Sequence, residues 1–499
     1  MTKQNKAEEN IKVRPPVVAI VGHIDHGKTT LLDYIRKSNV AGGESGGITQ
    51  HLSAFVVNHK DEKGMNKEIV FIDTPGHSAF TGMRERGLKV ADIAILVVSG
   101  EEGVKEQTKE AIKQIEESKT PFMVAITKSD KPNSNVDKVK IDLAEQNVLV
   151  EGFGGSVPYV AVSGKTGNGI EQMLEIILLV SEMENFTSDV NKKAIGVVIE
   201  SNRDTKRGIS ATLVVKDGTL KKGDFIALKG ALSGTRIMED FTGKNANEIP
   251  PSHPVQIVGW DNVPPAGEFF ETFENKKDAE VYSNTKVEKI NLNENIKADT
   301  FFIPIIIKAD TLGTLEAIIK EIRKIEDDKV SFKIIGSGVG QVTEADVKAP
   351  MTDKDAVIVS FRVKTEKGAQ DLSIVQNVPI NSFDIIYKLV EFLEELKEIR
   401  RPREIVLEEK GKTKVLRIFN KSKEKQVVGG RVTEGALTTG RAKIIRRENV
   451  IGEATILGIE QAKAKAREVL EGNECGIMIA SKIEIAIGDV ILSFVEVEK

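Results

Sequence analysis

Residues 17–32 read VVAIVGHIDHGKTTLL, and the first third of the chain is organised around this stretch. The apolar run 17–21 predicts a buried strand, and a helix pattern begins at Thr30. The residues between them match G-x-x-x-x-G-K-[ST], a loop whose backbone N–H groups surround phosphate oxygens at a helix N-terminus. We therefore predict a phosphate-binding loop that comprises Gly22, His23, Ile24, Asp25, His26, Gly27, Lys28, Thr29 and Thr30.

Two residues of this loop have the clearest individual roles. The Lys28 ammonium is expected to neutralise the β- and γ-phosphates of a nucleotide, and the Thr29 hydroxyl is expected to bind Mg²⁺. A chance glycine-rich turn would also match the pattern. The strand before the loop and the helix after it argue against that alternative.

Further apolar runs alternate with amphipathic helix patterns, at residues 69–72, 93–98, 122–126 and 159–162. Near-continuous hydrophobic strands separated by helices are typical of a parallel sheet that is buried on both faces. Residues 17–184 are therefore expected to form an α/β domain with a doubly wound, mostly parallel sheet. Ligands of such sheets bind at the carboxyl ends of the strands.

Two loops at those strand ends have the composition of nucleotide switches. Asp73 follows the run 69–72 and is expected to hold Mg²⁺ through water, while the Gly76 N–H approaches a γ-phosphate. Thr49, in the glycine-rich segment 46–49, offers a second hydroxyl to the same metal ion. Segments that both depend on the γ-phosphate and the metal form a switch. The second switch segment is Asp73, Thr74, Pro75, Gly76 and His77.

A third loop predicts the identity of the base. The carboxylate of Asp130 can accept hydrogen bonds from the N1 and 2-amino groups of guanine, which adenine does not offer. Asp130 ends the run Thr127, Lys128, Ser129 and Asp130, and the run Ser163, Gly164 and Lys165 is expected to close over the base. Each short motif recurs by chance, but their order, each after an apolar strand, predicts a guanine-nucleotide switch.

Composition limits the remaining possibilities. A chain of 499 residues is too long for one hydrophobic core and predicts several domains. A net charge of -4 excludes a uniformly basic nucleic-acid binder, so any RNA contact is expected to be local. The single Cys475 excludes a disulfide framework. We find no apolar leader or spanning run, and we expect a cytoplasmic protein without membrane contact.

The rest of the chain divides by pattern. Short strands and turns predict a small β-barrel. The turn motif Asp217-Gly218-Thr219-Leu220 recurs in similar form at Glu434-Gly435-Ala436-Leu437. This repeat favours two related barrels, although common hairpin chemistry would also explain it. The predicted divisions are a disordered lead (1–16), the nucleotide domain (17–184), a β-barrel (193–273), a linker (274–300), an α/β/α domain (301–382), a long connecting helix (383–401) and a second β-barrel (403–499).

The glycine-rich run 336–340 resembles a dinucleotide-binding fingerprint. The acidic partner that such a site needs is missing from the sequence that follows. We therefore interpret the run as a tight strand-to-helix turn.

The motifs together resemble those of translational GTPases. The segment Gly46-Gly47-Ile48-Thr49-Gln50-His51 is similar in particular to the corresponding segment of bacterial-type translation initiation factor two. The resemblance implies that His77 positions the attacking water and that Ile24 and Ile48 form an apolar gate. It implies GTP or GDP with Mg²⁺ as ligands.

Two residues depart from the usual GTPase motifs. Thr127 stands where asparagine is usual, and Gly164 stands where alanine is usual. We expect the Thr127 hydroxyl to keep the contact with the phosphate-binding loop. Guanine specificity is therefore expected to remain, with looser nucleotide binding.

The resemblance also implies a tRNA contact in the last barrel. Residues 400–449 hold 15 Lys or Arg against 6 Asp or Glu, a cationic segment suited to RNA phosphates or simply to solvent. The family places the formylmethionyl end of initiator tRNA near a Glu-Cys-Gly motif. Its basic-aromatic run is replaced here by residues 460–463, so we expect an altered pocket. The residues expected to bind tRNA are Arg417, Lys463, Glu474, Cys475 and Gly476.

The predicted function is therefore a ribosome-stimulated GTPase of translation initiation. It would act as a monomer and would not bind DNA. Its partners would be initiator tRNA and the 30S and 50S ribosomal subunits. An elongation-type GTPase is a weaker alternative, because that type lacks an α/β domain between its barrels. A ribosome assembly or rescue factor without a tRNA ligand is the alternative from another class.

Overall fold

The structure is a computed structural model that describes residues 11–37, 49–61, 63–284, 301–349, 355–402, 405–421, 425–462 and 464–498. The chain divides into two compact units, Met1–Arg400 and Arg401–Lys499. Of the predicted site residues, Lys463 and the gate residue Ile48 lie outside the described residues. Among the helices described here, none is both long and apolar enough to cross a membrane.

The first domain is built on a six-stranded sheet in the order β3-β4-β2-β5-β6-β7. All neighbouring pairs are parallel except β3–β4. Its strands are β2 Val17–Gly22, β3 Ser53–Lys60, β4 Asn66–Asp73, β5 Ile93–Ser99, β6 Phe122–Thr127 and β7 Tyr159–Ala161. Its helices are α1 Lys28–Arg36, α2 Thr81–Val90, α3 Glu106–Ser118, α4 Val136–Ala144 and α5 Ile170–Glu184, with a 3₁₀ turn at Ser78–Phe80.

Strand β2 explains why this sheet is covered on both faces. Its side chains alternate between two cores, with Val18 and Ile20 facing α1 and α5, and Ala19 and Val21 facing α2, α3 and α4. The strand is buried throughout, which requires an apolar residue at every position. The register pairs Ile20 with Asp73 and Gly22 with Val97. The carboxyl ends of β2, β4 and β5 therefore lie side by side.

The second domain is an antiparallel sheet in the order β13-β12-β17-β9-β10-β16-β14. Its strands are β9 Ile195–Asp204, β10 Gly208–Asp217, β12 Phe225–Leu228, β13 Ala231–Gly234, β14 Ile237–Asp240, β16 Pro254–Val258 and β17 Phe269–Phe273. A separate pair joins β11 Leu220–Lys221 to β15 Glu248–Ile249. Because no pairing within residues 187–284 joins β13 to β14, this sheet is a half-barrel.

The third domain has a four-stranded parallel sheet in the order β19-β18-β20-β21. Its strands are β18 Phe301–Ala309, β19 Val330–Val339, β20 Val357–Phe361 and β21 Ile380–Phe383. Its helices are α7 Leu312–Ile325, α8 Glu344–Lys348, α9 Lys367–Gln376 and α10 Ile386–Arg400. One hydrophobic core contains Phe80 of the first domain, Val197 of β9 and Leu315 of α7. The first three domains are therefore packed together.

The second unit is a closed β-barrel. Six strands close in the order β22-β29-β24-β25-β28-β23, because β23 also pairs with β22. The strands of this unit are β22 Ile405–Lys421, β23 Lys425–Thr438, β24 Gly440–Arg446, β25 Asn449–Gln461, β26 Ala464–Ala466, β27 Glu468–Leu470, β28 Glu474–Ser481 and β29 Val490–Glu498. The predicted fold class is confirmed. In the two copies of the repeated turn motif, Gly218 and Gly435 both have positive φ, at 77° and 67°.

Several sequence expectations were wrong in detail. Ile11–Val13 of the predicted disordered lead forms β1 and pairs with β8, Thr187–Asp189, while residues 1–10 lie outside the described residues. The predicted linker begins with helix α6, Lys276–Ser283, whose Ala279 is buried against Ala227 and Leu232. Residues 285–300 lie outside the described residues.

The third domain supplies two more corrections. Residues 336–339 continue strand β19 instead of forming a turn, because Gly336 and Gly338 pair with Ile306 and Lys308 of β18. The long helix begins at Ile386, and residues 380–383 before it form β21. Leu389 and Leu393 of this helix lie in the shared core. The helix is therefore packed against the third domain and is not a free connector.

Candidate functional site

The predicted phosphate-binding loop lies between β2 and α1. Gly27, which has no side chain, occupies the cap position of α1 with a φ of 86°. The N-terminal end of α1 therefore presents its N–H groups and the positive end of the helix dipole to the loop. His26 is buried beneath the loop, where its Nδ1 accepts a hydrogen bond from the Ser99 N–H at 3.3 Å.

Lys28 is the buried cation of this loop. Its Nζ donates to the carbonyl oxygens of Gly22 at 2.9 Å and His23 at 2.5 Å. Burial lowers the pKa of Lys28 to about 8, and the nearby carboxylate of Asp73 partly opposes this. The ammonium is still charged at pH 7 and is surrounded mainly by carbonyl dipoles. An anion placed in the loop would add its negative charge to that of Asp73.

Three oxygen-bearing side chains meet at the edge of the loop. The Thr29 and Thr49 hydroxyls lie 2.7 Å apart, and Thr49 Oγ1 lies 3.5 Å from Asp73 Oδ2. Thr49 and Asp73 are buried. Two hydroxyls and one carboxylate are hard oxygen ligands of the type that Mg²⁺ prefers. The chemistry of this group fits a magnesium ion.

His77 lies at the end of the second switch segment. Its Nδ1 accepts a hydrogen bond from the Ala79 N–H at 2.8 Å, which places the proton of the neutral ring on Nε2. Burial lowers the pKa of His77 to about 4, so the ring is neutral at pH 7. The Tyr387 ring of α10 meets the imidazole edge-on, with 4.3 Å between ring centroids. The third domain therefore contacts this histidine directly.

The segment that follows Thr49 also contacts other domains. The Gln50 amide donates to the Asp384 carbonyl at 3.2 Å. His51 Nε2 lies 3.2 Å from Asp310 Oδ2 of the third domain, and its Nδ1 lies 3.7 Å from Glu200 Oε1 of the second. Burial opposes the charged ring, but these two carboxylates overcome it and raise the pKa of His51 to about 10. A charged imidazole therefore links three domains.

The predicted base-binding residues come together on the other side of the loop. Asp130 Oδ1 accepts a hydrogen bond from the Ser163 hydroxyl at 2.7 Å. The Thr127 hydroxyl donates to the His26 carbonyl at 2.5 Å. The expectation that Thr127 keeps a contact with the phosphate-binding loop is confirmed. Gly164 lies against the first turn of α1, where a Cβ would be 2.9 Å from Leu31 N.

These loops surround one cavity of about 290 Å³. Lys131 also lines it and was not predicted, although it directly follows the T-K-x-D motif. Other predicted residues support the walls from behind. The Thr74 hydroxyl, for example, donates to the Ile20 carbonyl at 2.6 Å. The predicted residues that line the cavity are Ile24, Asp25, Gly27, Lys28, Thr29, Thr30, Thr49, Gly76, His77, Thr127, Lys128, Asp130, Gly164 and Lys165.

The last barrel brings the other predicted residues to adjacent strands. Strand pairing aligns Arg417, Gly429, Gly476 and Glu460 in one row across four strands. Beside this row, Glu474 forms an ion pair with Arg431 at 2.6 Å.

Two residues of this barrel differ from expectation. The Cys475 thiol lies in the barrel core, and burial raises its pKa to about 11. The expected contact of Cys475 with tRNA stays a prediction, and in the conformation described here the thiol faces the core and not the outer face. Phe419, which was not predicted, is 67% exposed and its ring covers Gly429. Phe419 stands two residues after Arg417 on one strand, and this spacing, which places both side chains on the same face, is the sequence signal for it.

Three family models and one solved structure are similar to parts or most of this chain. Family models match residues 14–182 as the elongation factor Tu GTP binding domain, 193–273 as elongation factor G domain 2, and 278–394 as translation-initiation factor 2. A solved structure, GDP-bound aIF5B from Aeropyrum pernix, is 27% identical with a TM-score of 0.46, covering 96% of this chain and 92% of that one.

Curated relatives match nearly the whole chain. Translation initiation factor IF-2 of Geobacillus sp. (strain WCH70) is 40% identical over 98% of this chain and 69% of its own length. The same factor of Clostridioides difficile (strain 630) is 38% identical over 100% of this chain and 79% of its own length. Some other relatives are longer, and the chain spans 51% of the one from Desulforamulus reducens. This chain belongs to the translation initiation factor IF-2 family and is a GTPase of translation initiation.

Proposed function

We propose that this chain, with GTP bound, binds formylmethionyl initiator tRNA and promotes its binding to the 30S subunit and the joining of the 50S subunit. It then hydrolyses GTP on the assembled ribosome. The observation that carries the nucleotide part is the convergence of five segments, distant in sequence, on one cavity. The tRNA and ribosome parts follow from family membership and from the outer face of the last barrel. Such partners imply a cytoplasmic location.

The phosphates would lie between the loop after β2 and the N-terminus of α1. Lys28 would exchange its contacts with the Gly22 and His23 carbonyls for phosphate oxygens, which are stronger acceptors for an ammonium. Thr29, Thr49 and Asp73 would hold Mg²⁺, which neutralises charge on the β- and γ-phosphates. This arrangement couples Thr49 and Asp73 to the γ-phosphate.

Guanine would be recognised by Asp130. Its carboxylate accepts from the N1 and 2-amino groups of the base, and the Ser163 hydroxyl holds it in place. The Thr127 hydroxyl fixes the base loop to the phosphate-binding loop through the His26 carbonyl. Base and phosphate recognition are therefore mechanically connected.

His77 would orient the attacking water. In the conformation described here Nδ1 is occupied by the Ala79 N–H, and Tyr387 covers one edge of the ring. The neutral ring has its proton on Nε2 and acts as a hydrogen-bond donor, not as an acid. Hydrolysis would be slow until ribosome binding moves the ring toward the γ-phosphate.

Initiator tRNA would bind the outer face of the last barrel. The Phe419 ring lies over Gly429, and Gly476 leaves bare backbone between that ring and Glu460. An exposed aromatic ring is a stacking surface for an unpaired base. Arg417 lies in the same row and is suited to a phosphate. The basic-aromatic run that is missing at residues 460–463 is thus partly replaced by Arg417 and Phe419 on β22.

Filter binding tests the tRNA proposal against the assembly-factor alternative. The full chain with a non-hydrolysable GTP analogue is titrated with formylated initiator, unformylated initiator and elongator tRNAs. We expect a preference for the formylated initiator and a loss of about fivefold to 150-fold in affinity for Phe419→Ala, from ~1–3 kcal/mol of stacking. Leu470→Ala is the matched control, since Leu470 is 63% exposed and pairs with Ala436 at the far end of β23.

The possible results separate the candidates. Equal affinity for all three tRNAs, or no binding, would favour a ribosome assembly or rescue factor. Equal losses in Phe419→Ala and Leu470→Ala would remove Phe419 from the tRNA site and leave the nucleotide proposal unaffected.

A further inference from the structure

Arg84 is a buried arginine that the nucleotide motifs do not explain. It lies in α2, and its side chain is 1% exposed. A buried guanidinium is costly unless its donors are satisfied and its charge is paired. Glu110 of α3 pairs with it at 2.8 Å, and Gln114 Oε1 accepts from its Nε at 3.3 Å. The charge is therefore compensated on the side that faces α3.

The other side of the guanidinium faces the second switch segment. Its Nη1 donates to three successive backbone carbonyls, those of His77 at 2.6 Å, Gly76 at 3.3 Å and Pro75 at 3.4 Å. The contact with His77 is short for a charged donor, and the other two are long. One side chain thus holds three consecutive peptide groups of this segment.

Peptide geometry gives this contact a directional consequence. In a trans peptide the C=O and the following N–H point in opposite directions. When the Pro75 and Gly76 carbonyls both point to Arg84, the N–H groups of Gly76 and His77 point away from it. Gly76 itself lies against the phosphate-binding loop, because a Cβ there would overlap Lys28 Nζ and lie 3.1 Å from Ile24 N.

We propose that Arg84 is a positioning residue that fixes the Gly76 and His77 amides toward the γ-phosphate and so allows the chain to distinguish GTP from GDP. The inference rests on the proposed binding of GTP in the cavity. A cation on the carbonyl side also polarises these peptides, which strengthens their N–H groups as donors. The residue acts through the backbone and makes no contact with the nucleotide.

Arginine is suited to this role in a way that lysine is not. The planar guanidinium carries five N–H donors in a fixed geometry, so it can satisfy carbonyls, Gln114 and Glu110 together. A lysine ammonium at the same place would retain the charge but could not span the carbonyls on one side and the α3 partners on the other. Arg84→Lys is therefore the informative substitution.

The test compares two nucleotides in the same variants. Dissociation constants for GDP and for a non-hydrolysable GTP analogue are measured with the full chain. We expect Arg84→Lys to weaken binding of the analogue about tenfold, equivalent to one charge-assisted hydrogen bond, and to change GDP binding less than twofold. Arg86→Lys is the matched control, because Arg86 lies on the same helix but pairs with Glu316. It should change neither constant.

Each other result has a defined meaning. If Arg84→Lys leaves both constants unchanged, or weakens both equally, Arg84 does not act through the γ-phosphate and the inference is wrong. If the wild-type chain binds neither nucleotide, the proposed function fails as well. Should Arg84→Lys not fold, Arg84→Met with Glu110→Gln removes the guanidinium without leaving an unpaired buried charge. It must show the same selective loss.

Discussion

Gly164→Ala is the substitution that restores the residue usual at this place in GTPases, and we expect it to weaken nucleotide binding. An alanine Cβ at this position would lie 2.9 Å from Leu31 N and 2.9 Å from the Thr30 carbonyl carbon. Both are backbone atoms of the first turn of α1, so no side-chain rotation can relieve the overlap. The base loop and the phosphate-binding helix would have to move apart.

The size of the effect follows from that separation. Non-bonded carbon atoms are most favourable at ~3.5–4.0 Å, so the two backbones must separate by at least about 0.6 Å from the 2.9 Å found here. Overpacking of this kind costs typically ~1–3 kcal/mol. Because Ser163 hydrogen-bonds Asp130, the strain falls on the residue that we propose recognises guanine. The dissociation constant for GDP should rise by about fivefold to 150-fold.

Titration with a fluorescent GDP analogue measures this change directly. Gly82→Ala is the matched control, since the nearest atom to a Cβ at Gly82 is an Arg86 guanidinium nitrogen at 3.8 Å. That variant should bind GDP as the wild type does and be equally or slightly more stable, because alanine is the better helix former. Wild-type or tighter GDP binding by Gly164→Ala would refute the argument from close approach.

Four further predictions address single residues. Asp130→Asn should shift preference from GTP to xanthosine triphosphate, because the amide can donate to a 2-oxo group; competition binding that still favours GTP would contradict this. His77→Ala should keep GTP affinity within a few-fold but lose most ribosome-stimulated phosphate release, since the ring acts only in the transition state; stopped-flow rates equal to wild type would remove it from the mechanism. His51 has a pKa raised from 6.5 to about 10, so the stability it adds should be complete below pH 6.5 and disappear as the pH approaches 10. Urea unfolding of wild type and His51→Gln at three pH values should show a difference in the free energy of unfolding that falls with rising pH. A difference that does not change with pH would exclude the ion pairs as its cause. Cys475, with a pKa raised to about 11 by burial, should resist alkylation at pH 8 until urea is added; rapid labelling of the folded chain would contradict its place in the barrel core.

The nucleotide site was largely predictable because its motifs are local. Lys28 and Thr29 stand next to each other in sequence, and Asp73 directly ends a strand whose apolar pattern is plain. These inferences need only the spacing within one strand–loop–helix unit. The contact of the Thr127 hydroxyl with the phosphate-binding loop joins two such units and was expected from the resemblance to other GTPases.

The remaining features depend on packing between distant segments. Ile11–Val13 has no distinctive pattern and becomes a strand only because Thr187–Asp189 is available as a partner. Arg84 reads as one more charged residue of an amphipathic helix until α3 and the second switch segment are placed on either side of it. The close approach of Gly164 to α1 is a distance between two backbone segments, and the identity of a single residue does not predict such a distance.

Residues 384–387, at the start of α10, touch both of the predicted switch segments. The Asp384 carbonyl accepts from the Gln50 side chain, and the Tyr387 ring lies against His77. The first contact is a hydrogen bond and the second is a contact between two rings, so losing either one leaves the other in place. We therefore expect this four-residue stretch to respond to the two segments jointly: movement of one segment alone should leave it anchored by the other.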